Sequence, residues 1–174
     1  MAKILEVYGS TTGNTESIAH AIEAKLQAAG NDVTVVNAAD AQADGLADRY
    51  DAVLFGASCW GDEDIEMQED FAALFENADK MNLKGKKIAA ICAAPSVFSG
   101  LGFLKNRKAT SYPSFMEIIA GDGAQTSEDS VVVDGNITTS RGLGTAVDFA
   151  LSLISQLEND EKAKEIAESV VYTR

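Results

Sequence analysis

The chain has 174 residues, 46% of them hydrophobic and 24% charged, enough for one well-cored domain and short for two. Its 27 acidic and 14 basic residues leave a formal net charge of −13, which argues against nucleic acid or anionic membrane as a partner and favours basic protein surfaces. No apolar run approaches the roughly 20 residues that span a bilayer, no signal-peptide pattern precedes the first strand, and two cysteines without metal-ligand spacing, Cys59 and Cys92, read as free thiols of a reducing, cytoplasmic compartment.

In chain order, the apolar run Ile4 to Tyr8 reads as a buried strand, followed by a helical pattern with Ile18, Ile22 and Leu26 on one face and His20 on the other. Between them lies Gly9-Ser10-Thr11-Thr12-Gly13-Asn14-Thr15. Its glycines free the backbone and its hydroxyls surround a helix N-terminus, a combination suited to a phosphate. The simpler alternative is a turn in which Ser10, Thr12 or Asn14 caps the helix. The loop has neither the Lys of a P-loop nor a G-x-G-x-x-G pattern.

Gly30-Asn31-Asp32 closes the helix and Val33 to Val36 forms a second strand. Asp51 to Gly56 is a continuous apolar run of the kind found in parallel strands covered on both faces. An acidic loop, Ser58 to Glu66, leads to a helix carrying Phe71, Leu74 and Phe75, and Ile88 to Cys92 is a fourth buried strand. Pro95 to Leu104 contains a short helix with Pro in its first turn, and Ala109 to Tyr112 is a candidate fifth strand ending before Pro113. Ser114 to Ser127 has no clear periodicity. Ser130 to Ser140 reads as a hairpin across an Asp-Gly turn. Helices with Val147, Leu151 and Ile154 on one face, and over about Glu161 to Val170, finish the chain.

The alternation predicts an α/β, flavodoxin-like three-layer α/β/α sandwich over residues 1–174. Its mostly parallel sheet has the expected strand order 2-1-3-4-5, with a hairpin added in the second half. Ligands of such sheets bind at the carboxyl ends of the strands.

Two resemblances meet in this sequence. Residues 1 to about 84 resemble a short-chain bacterial flavodoxin, in Lys3 to Thr15, in Ser58-Cys59-Trp60-Gly61-Asp62 and in Asp64 to Phe71. Residues from about 86 to 174 resemble the ThiJ/PfpI, or Parkinsonism-associated deglycase, superfamily. The carriers are Ala89-Ala90-Ile91-Cys92-Ala93-Ala94-Pro95, Ala109-Thr110-Ser111-Tyr112-Pro113 and Thr139-Ser140-Arg141-Gly142-Leu143-Gly144-Thr145-Ala146. Both families use flavodoxin-like sheets, so the pair suggests an engineered chimera with a seam near Asn77 to Lys87.

The first resemblance implies FMN. Ser10, Thr11, Thr12, Gly13, Asn14 and Thr15 would hold its phosphate, and Ser58, Cys59, Trp60, Gly61 and Asp62 its ring. Trp60 would stack on the isoalloxazine, and Gly61 would turn its peptide toward the reduced flavin. Asp62, Glu63, Asp64, Glu66, Glu69 and Asp70 form an acidic rim that attracts basic redox partners. A flavodoxin covers the ring's other face with an aromatic after the fourth strand; here only Phe98 and Phe103 are at hand.

The second resemblance implies that Cys92 is the nucleophile-elbow cysteine, exposed and activated near a helix N-terminus. Its family pairs that thiol with an acid after the first strand, where this chain has Thr11 and Thr12, and in some relatives with a histidine, near whose place Tyr112 stands. Arg141 reads as structural.

The leading expectation is therefore an FMN-binding electron carrier, monomeric, in which no side chain is catalytic. The alternatives are a Cys92-dependent deglycase, glyoxalase or redox-sensing protein, and a designed scaffold without activity.

Overall fold

The computed structural model describes residues 1–60, 66–83 and 85–173. By its internal contacts the chain divides into Met1–Lys84 and Gly85–Arg174.

In the first unit, β1 (Lys3–Gly9) is the centre of a three-stranded parallel sheet, and α1 (Asn14–Ala28) leads from it to β2 (Asp32–Asn37). A single turn, α2 (Leu46–Arg49), precedes β3 (Ala52–Ala57). The order β2-β1-β3 is the expected one, with Val7 opposite both Val36 and Phe55. Two-residue strands β4 (Cys59–Trp60) and β5 (Glu66–Met67) pair antiparallel, and α3 (Glu69–Phe75) follows. Gln68 starts α3 by accepting a hydrogen bond from the Phe71 N–H at 2.9 Å. Phe71 and Leu74 are buried as predicted, and the rings of Phe55, Phe71 and Phe75 pack with centroids 5.0–6.3 Å apart. A Cβ at Gly9 would stand 2.9 Å from the Phe71 Cβ, so glycine lets β1 and α3 approach this closely.

The helical face of α1 differs from the expectation. Ala19 is its buried residue, while Ile18 is 60% and Ile22 38% exposed. The reason lies in the strand beneath. β1 carries Glu6 and Tyr8, and α1 answers with polar residues: Glu16 bonds Tyr8, and His20 packs against the Tyr8 ring. β3, expected to be covered on both faces, leaves Leu54 39% exposed, being an edge of its sheet.

In the second unit, β6 (Ile88–Ile91) leads to α4 (Pro95–Gly100), whose first turn accepts Pro95. There follow β7 (Lys108–Ala109), α5 (Met116–Gly121), β8 (Gln125–Thr126), the hairpin β9 (Val131–Asp134) and β10 (Ile137–Ser140), and helices α6 (Ala146–Leu157) and α7 (Asp160–Ser169). β10 is the middle strand, parallel to β6 and antiparallel to β9. Ala90, Phe98, Leu104, Ala109, Ile119 and Ile137 form the core.

Two expectations are corrected here. The hairpin is no addition, since its second strand is the partner of β6. The fifth strand shrinks from Ala109–Tyr112 to Lys108–Ala109, paired only with β8. Beyond Ala109 the backbone donors turn to side chains: the Thr110 N–H donates to Thr139 Oγ1 at 2.9 Å, and the Ser111 N–H to Met116 Sδ at 3.2 Å. A ladder cannot continue through residues whose N–H groups are already engaged. Among the described residues no helix is long and apolar enough to cross a membrane.

Candidate functional site

Each unit holds one strand-to-helix turn that the sequence marks as chemical. After β1, Gly13 adopts a left-handed conformation (φ 83°) as the residue before α1, and no side chain caps the helix. Ser10 Oγ instead accepts the Gly13 N–H at 3.0 Å, within the loop, and Ser17 Oγ donates to the Gly13 carbonyl at 2.9 Å. Capping by Ser10, Thr12 or Asn14 is therefore not how the turn is built. Thr11, Thr12 and Asn14 are exposed, and Ser10 and Thr15 half-buried. Thr11 and Thr12 are thus exposed ahead of a helix start that no side chain caps.

Ser58 is exposed where β3 ends. The side chains of Cys59 and Trp60, and the whole of Gly61 and Asp62, lie outside the described residues, as do Glu63, Asp64 and the Glu66 side chain of the expected acidic rim. A hollow of about 590 Å³ in this unit is lined by Ala38, Asp44, Asp70, Leu74 and Lys80 among others, and by no residue of Gly9–Thr15.

Under α1 lies a titratable cluster. Tyr8 Oη donates to Glu16 Oε1 at 3.0 Å, and His20 Nδ1 is 3.0 Å from Glu23 Oε2. Glu6 is 4% exposed and its Oε2 has no partner. Burial, then the nearby Glu23 carboxylate, push the Glu6 carboxyl above its ordinary range, while the hydrogen bond to Glu23 raises His20. His20 is a surface residue, as expected.

After β6 the chain turns at Cys92, a half-buried free thiol held at φ 66°, the left-handed region that a residue with a Cβ rarely adopts. Three hydrogen bonds hold it there. The Cys92 N–H donates to the Ser140 carbonyl at 3.1 Å, and the Cys92 carbonyl accepts from the Tyr112 N–H at 2.9 Å and from Ser111 Oγ at 2.8 Å. The turn aims sulfur at the backbone of Gly142, where an added Cβ would lie 3.9 Å from Sγ and 3.4 Å from the Tyr112 ring.

The Gly142 loop is itself tied down. Thr145 Oγ1 accepts the Gly142 N–H at 3.1 Å, and Ser140 Oγ lies 2.7 Å from Thr145 Oγ1. Arg141 donates to the Glu128 carbonyl at 3.0 Å, the structural role expected of it. Ser111 and Ser140 are completely buried. Sequence reasoning quoted both within its motifs and gave neither a task; a serine beside each motif's key residue was the available signal.

Phe98 and Phe103, the only candidates to cover a flavin ring, belong elsewhere. Phe98 is 9% exposed within the core, and Phe103 packs against that core with its ring 6.1 Å from that of Phe98.

A family model described as DJ-1/PfpI family matches residues 15–156. The flavodoxin of Nitratidesulfovibrio vulgaris is 36% identical over 142 residues, 81% of this chain and 90% of that protein. Protein DJ-1 homolog A of Arabidopsis thaliana is 46% identical over 89 residues, 51% of this chain and 23% of that one. Among solved structures, oxidized DJ-1 of Toxoplasma gondii superposes with a TM-score of 0.66 at 30% identity, covering 100% of both chains. These likenesses bear out an α/β fold of the flavodoxin-like three-layer class. They overturn the expectation of an FMN-binding electron carrier, because the family match and the DJ-1 structure extend through both units. In the second unit the turn after β6 presents a strained thiol, and Phe98 and Phe103 pack in and against that unit's core.

Proposed function

The chain belongs to the DJ-1/PfpI family, and we propose that it acts as a thiol protein whose Cys92 senses oxidants. The observation that carries this reading is the conformation of Cys92, a left-handed turn held by three hydrogen bonds on a half-buried free thiol. Such strain persists only where the surroundings over-determine it, and it concentrates at reactive positions.

Oxidant sensing is favoured over deglycase or glyoxalase turnover by the side chains around the thiol. Turnover of a carbonyl substrate needs a base to move protons. Tyr112, near the place where the resemblance puts a histidine, gives the Cys92 carbonyl its backbone N–H, and its ring lies against Gly142. Oxidation asks for less. The thiolate attacks one oxygen of hydrogen peroxide, an S–O bond forms as the O–O bond breaks, and sulfur gives up two electrons to become a sulfenic acid. The departing hydroxide takes a proton and leaves as water.

The test is graded peroxide followed by intact-mass and peptide mapping, beside Cys92→Ser and Cys59→Ser. The expected result is stepwise oxygen addition at Cys92, abolished by Cys92→Ser and kept in Cys59→Ser. Methylglyoxal turnover lost in Cys92→Ser would overturn the preference for sensing.

We also infer that the chain is a chimera, its flavodoxin-like motifs lying within 1–84 and its ThiJ/PfpI-like motifs within 86–174. The supporting observation is that its contacts divide at Lys84 and Gly85, inside the expected seam. A natural sequence carrying both motif sets end to end would remove this inference.

A further inference from the structure

The three bonds that hold Cys92 are of two kinds. Two run between backbone groups, from the Cys92 N–H to Ser140 and from the Tyr112 N–H to Cys92, and any residue but proline at positions 92 and 112 supplies them. The third comes from a side chain. Ser111 Oγ donates to the Cys92 carbonyl at 2.8 Å, the shortest of the three. Ser111 is fully buried and its own N–H is engaged by Met116 Sδ at 3.2 Å, so its hydroxyl has a fixed origin.

We propose that Ser111 is the positioning residue of the thiol: its hydroxyl locks the Cys92 peptide so that the sulfur stays beside Gly142. This rests on the reading of Cys92 as an oxidant-sensing thiol and adds the group that governs its rate. A carbonyl that accepts two hydrogen bonds cannot rotate without losing both, so the left-handed turn is the lowest state open to Cys92. With the hydroxyl removed, the single Tyr112 N–H remains and the peptide is free to relax toward φ below zero. That relaxation swings the Cβ, and with it Sγ, away from Gly142. Sulfur would then meet an oxidant only in the fraction of molecules that still hold the turn. Ser111 is bonded to the Cys92 carbonyl, so it acts on the sulfur through the backbone.

The experiment measures the second-order rate of Cys92 oxidation by hydrogen peroxide across pH, in a Cys59→Ser background, for Ser111, Ser111→Ala and Ser111→Thr. Losing one net hydrogen bond converts to a rate about threefold to tenfold lower in Ser111→Ala. The pH midpoint of the profile is expected to stay in place, and Ser111→Thr, which keeps the hydroxyl, is expected to recover most of the rate. Thermal melts of the three proteins run alongside. A Ser111→Ala rate equal to that of the parent overturns the positioning role. So does a fall that Ser111→Thr fails to rescue while its melt matches the parent's, because packing and not the hydroxyl would then be responsible. If the parent thiol itself reacts no faster than free cysteine, the oxidant-sensing reading falls, and the positioning role with it.

Discussion

The two strand-to-helix turns of this chain solve one geometric problem in two ways. After β1 the left-handed residue is Gly13, at φ 83°, with nothing within 4 Å of where a Cβ would stand. After β6 it is Cys92, at φ 66°, tied by three hydrogen bonds. Glycine takes that conformation without cost, and a residue with a Cβ takes it at about 1–2 kcal/mol. The first turn is therefore relaxed, although Gly13 too makes three hydrogen bonds, its N–H to Ser10 Oγ and its carbonyl from the Ser17 N–H and Ser17 Oγ. The second is strained, because its three hydrogen bonds hold a residue that carries a Cβ. A chain that could have placed glycine at both turns keeps a thiol at one, and those bonds offset the cost of keeping it there.

The largest expected effect breaks the relaxed turn. Gly13→Ala brings a Cβ into the left-handed region at about 1–2 kcal/mol while removing unfolded-state freedom worth about 0.5–1 kcal/mol, so it is expected to destabilise the protein by about 0.5–1 kcal/mol. Since the space around that Cβ is empty, the whole loss is conformational. Denaturant unfolding should show a lower midpoint with an unchanged slope. The converse change sharpens the contrast. Cys92→Gly removes the strain while adding unfolded-state freedom worth about 0.5–1 kcal/mol, so it is expected to stabilise by about 0.5 kcal/mol and to abolish peroxide consumption. A Cys92→Gly protein less stable than its parent would mean that the cysteine side chain contributes packing beyond the strain it brings.

The sequence shows unequal amounts of the two turns. The alternation of strands and helices, the order around β1, the buried face of α3 and the hairpin could all be read from apolar periodicity and turn residues. The apolar face of α1 could not. Its isoleucines are evenly spaced, but the strand below it carries Glu6 and Tyr8, and polar pairing outweighed the periodicity. The fifth strand failed for a related reason, because side-chain acceptors at Thr139 and Met116 claimed the backbone donors of Thr110 and Ser111. In the site, the thiol and the glycines were legible as motif positions. The tethers were not, since Ser111 and Ser140 are distant from Cys92 in sequence and meet it only in the folded chain.

The smallest expected effect is a pair of opposite pH slopes, one from each unit. Burial first, then the Glu23 carboxylate, raise the Glu6 carboxyl above its unfolded value of 4.5, and His20 opposes them. The folded state thus favours the neutral acid. The stability Glu6 contributes is complete below pH 4.5 and is lost as pH rises through the raised folded value. Asp134 is the reverse case. It accepts the Lys108 N–H at 2.8 Å and an Arg107 guanidinium hydrogen bond at 3.2 Å, and these hold its carboxyl below the unfolded value of 3.8. Its contribution is present above that pH and is lost on acidification through the folded value. Urea midpoints measured from pH 3 to 7 should therefore diverge from the parent in opposite directions. Glu6→Gln gains on the parent as pH rises, and Asp134→Asn loses ground over the same climb. Parallel curves for Glu6→Gln would mean that the orphaned Glu6 oxygen reaches water, and the buried acid of β1 would then be as relaxed as the turn that follows it.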